Sequence, residues 1–221
     1  MQLFEAMEKR HSVRQYSDKA IEPEILGALQ AEIDECNKES GLHIQLVVGE
    51  EKAFDSLLAH YGKFSGVKNY IALIGKKGKE LDELCGYYGE RLVLKAQQLG
   101  LNTCWVAMSY KKIPGVFKVG DGEKLTVVIS LGYGKTQGTA HKSKPAQKVS
   151  KSDGKEPEWF KSGVRAALLA PTAMNQQKFN LTCNGRKVSV KAGAGFYTKL
   201  DLGIVKYHFE IGAGKDNFEW A

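Results

Sequence analysis

The amino-acid sequence predicts an α+β fold in which helices flank a mostly antiparallel sheet. Segments with a helical spacing of apolar residues, such as 23–37 and 81–99, are interspersed with short apolar runs typical of strands, such as 70–74. These elements lack the regular strand–helix–strand order that produces parallel sheets. Asn184 and Gly185 lie between two strand-like runs, a combination that is typical of an antiparallel hairpin.

The N-terminal part of the chain contains both types of element. Pro23 suits the first turn of a helix that we expect to extend to about residue 37, and Gly100 suits the end of the helix over 81–99. The run 70–74 is almost wholly apolar, which indicates a strand that is buried on both faces. In chain order we expect helices at 4–7, 23–37, 53–60 and 81–99, and strands at 43–48, 70–74, 104–108 and 124–131.

A lysine-rich polar segment divides the chain into two parts. Residues 135–156 are rich in Lys, Gly, Ser, Thr and Pro and contain few apolar residues, so we interpret them as a basic crossing segment. This segment separates an N-terminal lobe at 1–134 from a C-terminal lobe at 157–221. In the second lobe we expect helices at 158–169 and 200–211, and strands at 179–183, 187–190 and 218–220.

The composition is typical of a globular protein. Of the 221 residues, 43% are apolar and 26% are charged, and the formal net charge of +7 favours anionic partners. No apolar run reaches the ~18 residues that a membrane span needs, and the first residues lack the pattern of a signal peptide, so we expect no membrane partner. The four cysteines have no ligand spacing, which predicts buried free thiols, a cytoplasmic location and no metal site.

Two short motifs indicate the chemistry. Arg10, Ser12 and Arg14 place two guanidinium groups and a hydroxyl within five residues, which suits a phosphate or another planar anion. Residues 170–177 combine a proline with one Asn and two Gln, whose amides can both donate to and accept from a heterocycle edge. Together the motifs predict one phosphorylated, ring-bearing ligand. The alternatives are a solvated basic helix end for the first motif and a plain turn for the second.

Several segments resemble the FMN-dependent nitroreductases. Residues 10–16 resemble the R-R-S-x-R-x-F opening of that family, and residues 92–105 resemble its central helix and following strand. Residues 131–134 resemble its G-Y-P turn, and residues 142–145 resemble the basic pair beyond that turn. Residues 170–177 resemble its A-P-S-x-x-N-x-Q element, which arrives about 130 residues later than in the usual family. This order of motifs is similar to the "TM nitroreductase" branch.

The displaced element has an implication for the assembly. In the usual family the FMN lies at a homodimer interface, with the basic opening from one subunit and the A-P-S-x-x-N element from the other. The resemblance therefore implies that one chain here supplies both elements, as two lobes forming a pseudo-dimer. We expect either a monomeric pseudo-dimer or a homodimer.

The resemblance also implies a set of FMN contacts. Arg10, Ser12 and Arg14 would contact the phosphate, the ribityl chain and the pyrimidine edge of the flavin, and Lys142 and Lys144 the phosphate. Ala107 and Met108 match the segment whose backbone N–H faces flavin N5, where many members carry an acidic residue and a glycine. The expected FMN-binding residues are Arg10, His11, Ser12, Arg14, Ala107, Met108, Lys142, Lys144, Pro171, Thr172, Ala173, Asn175 and Gln177.

The implied function is that of an FMN-dependent oxidoreductase. NAD(P)H would donate a hydride to flavin N5, and a small organic electron acceptor would then use the same face in ping-pong chemistry. No catalytic side chain is expected, because the flavin performs the chemistry. The alternatives are another flavin reaction, such as reductive dehalogenation or flavin handling, and a basic nucleic-acid-binding protein. We expect no nucleic-acid partner, because aromatic residues are not interleaved with the basic segment.

Overall fold

A computed structural model describes all residues of the chain, except for the side chain of Leu58, and it confirms the α+β class. The helices are α1 (Leu3–Lys9), α2 (Pro23–Ser40), α3 (Leu57–Tyr61), α4 (Leu81–Gln98), α5 (Glu158–Ala167) and α6 (Thr198–Ala213). The strands are β1 (Gln45–Val47), β2 (Asn69–Lys76), β3 (Asn102–Val106), β4 (Glu123–Gly132), β5 (Ser150–Ser152), β6 (Phe179–Asn184), β7 (Lys187–Ala192) and β8 (Glu219–Trp220). Four of the six strand pairs are antiparallel.

The chain forms two compact units that are each discontinuous in sequence. The β1–β4 unit comprises residues 9–81 and 92–140, and the β5–β8 unit comprises residues 1–8, 82–91 and 141–221. Helix α4 contributes its first turns to the β5–β8 unit and its remaining turns to the β1–β4 unit. The chain passes from the β1–β4 unit to the β5–β8 unit between Ala140 and His141, inside the basic polar segment 135–156.

The β1–β4 unit contains a wholly antiparallel sheet in the order β1-β2-β4-β3. Strand β2 lies between β1 and β4, and its residues from Tyr70 to Gly75 are all buried, which confirms the prediction of a central strand. An aromatic cluster packs against this sheet, with the Phe54 ring 5.3 Å from the Phe64 ring and 5.9 Å from the Tyr70 ring. The buried apolar residues of β2 and β4 therefore supply the core on which the adjoining loops rest.

The β5–β8 unit contains a mixed sheet in the order β5-β6-β7-β8. The central pair is the predicted antiparallel hairpin, whereas the edge strands β5 and β8 pair in parallel with their neighbours. Helices α5 and α6 pack on each other through Phe160 and Phe209, whose ring centroids are 5.7 Å apart. His208 is fully buried between these helices and α4, where its ring donates Nδ1–H to the Ala166 carbonyl.

Helices α4 and α6 approach each other within backbone contact at two glycines. A Cβ atom on Gly86 would lie 2.0 Å from the Leu200 carbonyl oxygen, and one on Gly203 would lie 1.9 Å from the Glu83 carbonyl oxygen. Any side chain at either position would collide with main chain, which cannot move aside as a flexible side chain does. The sequence places glycines in both helices because no other residue permits this spacing.

Four local features differ from the sequence predictions. The helix expected over 53–60 is a 3-10 turn at Lys52–Phe54 followed by α3. The polar segment 135–156 contains strand β5, which its polar composition does not predict. This strand forms through main-chain hydrogen bonds to β6. The hairpin turn is centred on Gly185 and Arg186, because Asn184 pairs with Lys187. Strand β3 ends at Val106, so Ala107 and Met108 follow the strand instead of belonging to it.

The glycine contact predicts a large effect of one methyl group. Gly203→Ala should lower the free energy of unfolding by about 1–3 kcal/mol or more, because the helices must separate. Gly27→Ala is the matched control, since Gly27 lies exposed in α2 with no atom within 4 Å of a built Cβ. It should raise the free energy by roughly 0.5–1 kcal/mol through helix propensity. Urea unfolding measures both, and equal stabilities for the two variants would contradict the prediction.

Candidate functional site

The basic motif is attached to the edge of the β1–β4 sheet by its main chain. Val13 donates its N–H to the Thr103 carbonyl at 3.0 Å, and Ser12 forms a parallel bridge with the same residue of β3. The buried Tyr16 hydroxyl donates to the Val13 carbonyl at 2.7 Å, which fastens the end of the motif to its middle. The positions of Arg10, Ser12 and Arg14 are therefore set by backbone bonds to β3.

The side chains of the motif act electrostatically on Cys104 of strand β3. Burial raises the pKa of the Cys104 thiol, while Arg14, a hydrogen bond from Ser12, and Arg10 act in the opposite direction on that pKa. Arg10 is buried and Arg14 is exposed, so the cluster extends from the interior to the surface. Such a set of donors fits a phosphate or another anion.

The segment that contains Gly138 lies against the main chain of the basic motif. Gly138, at φ +73°, approaches so closely that a Cβ would lie 2.8 Å from the His11 Cβ and 3.0 Å from the Ser12 carbonyl oxygen. The half-buried His11 therefore packs on this segment. The preceding turn is held by Asn102, whose Oδ1 accepts from the Gly134 N–H at 2.9 Å.

Ala107 and Met108 lie at the far end of the strand that carries the basic cluster. Ala107 lies four residue steps along the chain from Thr103, a distance of about 13 Å at the usual rise of a strand. Met108 is 70% exposed and Ala107 is half-buried, so this segment presents a small and apolar surface. The structure thus brings the basic motif and residues 107–108 to two ends of one strand.

The late motif forms a strained loop in the β5–β8 unit. It leads from α5 through a 3-10 turn at Ala173–Asn175 to strand β6. Met174, Asn175 and Gln177 have φ values of 50°, 53° and 43°, in the left-handed region that residues other than glycine rarely adopt. Non-glycine residues remain in this region only when surrounding bonds hold them there.

Amide side chains supply several of those bonds. Gln177 is buried, its Oε1 accepts from the Lys144 N–H at 2.8 Å, and its Nε2 donates to the Lys142 carbonyl at 2.9 Å. Asn175 Nδ2 donates to the same Lys142 carbonyl at 2.9 Å. Thr172 Oγ1 accepts from the Gln177 N–H at 3.0 Å. These bonds join residues 142–144 to the late motif.

The two lysines of this group differ in what their side chains do. Lys144 Nζ donates to the carbonyls of Gln176 and Gln177 at 2.7 and 3.0 Å, so its ammonium stabilises the main chain of the loop. Lys142 contributes its carbonyl to the amides described above, and its side chain is exposed. The half-buried Pro171, Thr172 and Ala173 lead into the loop from α5.

Sequence reasoning missed one residue, the buried Asp201 of α6. Its Oδ1 accepts from the Ala173 N–H at 3.0 Å, and its Oδ2 accepts from Gln176 Nε2 at 2.8 Å. Burial raises the pKa of Asp201 to about 6, and the two hydrogen bonds act in the opposite direction. The available signal was an acidic residue in the first turn of a helix, where the helix dipole favours negative charge.

Structural comparison places the chain in the nitroreductase fold. A "putative nitroreductase" from Thermotoga maritima has 22% identity and a TM-score of 0.69, over 98% of this chain and 85% of that chain. A "putative nitroreductase in complex with FMN" from Desulfovibrio desulfuricans has 17% identity and a TM-score of 0.54, over 71% and 98%. A "putative NADH oxidase" from Clostridium acetobutylicum has 18% identity and a TM-score of 0.51, over 65% and 96%.

The sequence identifies the family within that fold. Residues 2–213 match the profile of the family described as "Putative TM nitroreductase", and the chain belongs to this family. This confirms the branch indicated by the order of the motifs. A search of curated protein sequences finds no significant match.

The part of the chain that the structure describes contains neither a metal-binding cluster nor a membrane-spanning helix. Its His, Cys, Asp and Glu side chains form no group of three or more that could hold a metal ion. Within the same described residues, no helix is both long enough and apolar enough to cross a bilayer.

Loss of the hydrogen bonds made by the Gln177 side-chain amide should open the structure locally. Gln177→Ala leaves the Lys144 N–H and the Lys142 carbonyl without that partner, which should cost about 1–3 kcal/mol and loosen residues 142–144. Trypsin should then cleave after Lys142 faster than in the wild type, while cleavage after the exposed Lys77 keeps its rate. Gln30→Ala, at an exposed position of α2, is the control, and an unchanged rate at Lys142 would contradict the prediction.

Proposed function

We propose that the protein is an FMN-dependent oxidoreductase that oxidises NAD(P)H and reduces a small organic acceptor. The observation that carries this proposal is the main-chain pairing of the basic motif, which contains Arg10, Ser12 and Arg14, with strand β3, whose far end leads to residues 107–108. A cationic end and an apolar end on one strand suit a ligand with a phosphate at one end and a ring at the other. Membership of the nitroreductase family supports FMN as that ligand.

Each group of residues has a role that follows from its chemistry. Arg10, Ser12 and Arg14 would bind the phosphate, the ribityl chain and the pyrimidine edge, where positive charge stabilises a reduced anionic flavin. The late loop would present Pro171, Thr172, Ala173 and Asn175 to the ring system. Bound FMN would supply the hydride chemistry at N5. The backbone N–H groups of Ala107 and Met108 would face that atom, so no side chain there needs to act as an acid or a base.

We also propose that one chain supplies both groups of FMN ligands, as a pseudo-dimer. The order of the motifs supports this, because the A-P-T element of residues 170–177 arrives about 130 residues later than in the usual family, after the basic polar segment 135–156. The proposal makes a homodimer unnecessary for a complete site. We further propose a cytoplasmic location, which is supported by the four cysteines, because all of them are buried free thiols.

The first test of this function concerns the exposed end of the basic cluster. Arg14→Ala removes a charge-assisted donor and should weaken FMN binding roughly ten- to a hundredfold. Because Arg14 is exposed, the fold should be unaffected. Lys191→Ala removes one positive charge from an exposed position of β7 and should leave the affinity unchanged. Fluorescence titration of apo-protein with FMN measures both variants, and equal affinity in the two would remove the proposed phosphate site.

The second test separates a self-contained chain from a shared interface. Arg14→Ala and Asn175→Ala each damage one of the two groups of ligands. In a homodimer that shares its sites, mixing the two variants under conditions of exchange would create some sites free of both changes. In a self-contained chain every site keeps one defect, so FMN binding and NAD(P)H oxidation should not recover.

Subunit exchange is measured independently in that experiment, by mass spectrometry of isotopically labelled and unlabelled chains. A protein that stays monomeric in this assay and binds FMN also supports a self-contained site. Recovery of FMN binding on mixing would overturn the pseudo-dimer and leave the proposed cofactor intact.

A further inference from the structure

We propose that Asp201 is a positioning residue of the flavin site, whose carboxylate holds the loop 172–177 in its ligand-binding conformation. This inference rests on the proposed function, because it assumes that the loop contacts FMN. It assigns a role to a residue outside both sequence motifs. Asp201 lies on α6, and it reaches the loop through two hydrogen bonds.

The loop 172–177 needs support from outside its own residues. Three of its residues adopt left-handed backbone conformations that only surrounding contacts can maintain. Asp201 binds the loop at two points, the Ala173 N–H at the start of the 3-10 turn and the Gln176 amide at its end. Gln176 Nε2 also donates to the Phe196 carbonyl at 2.7 Å, so the orientation of its amide is set from both sides.

Both hydrogen bonds at Asp201 favour its ionised carboxylate. A carboxylate has only acceptor sites, and here each oxygen faces an N–H donor. An asparagine would present an NH2 group to one of those donors and lose that bond. Gln176 cannot restore the bond by turning its amide over, because its Nε2 would then leave the Phe196 carbonyl.

The buried carboxylate of Asp201 weakens the fold at neutral pH. A pKa raised to about 6 means that the folded protein holds the Asp201 proton more tightly than the unfolded chain does. Stability from this group is therefore greatest at low pH and falls as the pH rises from about 4 to 6. A residue that reduces stability at neutral pH while organising a strained loop is typical of a functional site.

Charged neighbours do not offset the destabilisation that the buried Asp201 carboxylate causes at neutral pH. The loop 171–177 contains no charged residue. On the adjoining segments, Lys178 donates to the Ala194 carbonyl at 2.7 Å, Lys199 is exposed, and Glu83 of α4 is paired with Lys206. Burial and the two hydrogen bonds described above are the influences on the Asp201 carboxyl.

The inference predicts that Asp201→Asn changes binding and stability in opposite directions. FMN affinity at pH 8 should fall roughly tenfold or more, because one charge-assisted bond to the loop is lost. The melting temperature of the apo-protein at pH 8 should be equal to or above the wild-type value, because the buried charge is gone. The decrease in stability between about pH 4 and 6 should also become smaller. Asp121→Asn, at an exposed turn, is the matched control and should change none of these.

A second variant approaches the same contact from the loop. Gln176→Met removes the amide that Asp201 binds and should weaken FMN binding to a similar degree. Unchanged FMN affinity in Asp201→Asn would overturn the inference, and so would weaker binding accompanied by a lower melting temperature. If Asp201→Asn does not fold, unchanged affinity in Gln176→Met overturns it instead. Arg14→Ala separates the two proposals: if it binds FMN normally, the proposed function fails, whereas normal binding by the Asp201 and Gln176 variants alone refutes only this role.

Discussion

The backbone contact between α4 and α6 is the constraint on which the β5–β8 unit depends. Gly86 lies against the Leu200 carbonyl, and Gly203 lies against the Glu83 carbonyl, so a side chain at either position would collide with the main chain of the other helix. Asp201 follows Leu200 directly, and its carboxylate supports the late loop. The close contact between α4 and α6 therefore sets the position of the buried Asp201 carboxylate. That carboxylate in turn helps to determine the conformation of the late loop.

The β1–β4 unit positions its part of the site by a different means. Main-chain bonds attach the basic motif to the edge strand β3, and the Tyr16 hydroxyl closes the motif onto its own backbone. Strand β3 is itself paired over its whole length with the long central strand β4. The side chains of the motif can thus be strongly polar without weakening the fold, because the bonds that place them belong to the backbone.

The parts of the fold that the sequence predicts are those with strong local signals. Pro23 marks the start of α2, and Gly100 follows α4 in a left-handed conformation, as expected of a helix end. The predictions fail where distant contacts decide the structure. Strand β5 is polar and exists because β6 lies beside it, and the helix expected over 53–60 is interrupted where Phe54 joins the aromatic cluster.

The same distinction applies to the candidate site. Its arginines and amides stand out in the sequence because their residue types suit an anion and a heterocycle. Gln177 is predicted to contact flavin from its residue type, whereas the hydrogen bonds by which its side chain joins residues 142–144 to the loop, through partners more than 30 positions away, depend on tertiary structure. The raised pKa of Asp201 arises from burial, which no local pattern reveals. Side-chain chemistry is readable from sequence, whereas the support of that chemistry depends on tertiary structure.

The late loop places Met, Asn and Gln where glycine would be least strained, and this has an entropic consequence. A glycine at these positions would relieve the strain but would give the unbound loop many more accessible conformations. Non-glycine residues restrict that ensemble, and the bonds from Asp201, Thr172 and Lys144 select one member of it. The loop is thereby organised before any ligand arrives, so little conformational entropy remains to be lost on binding.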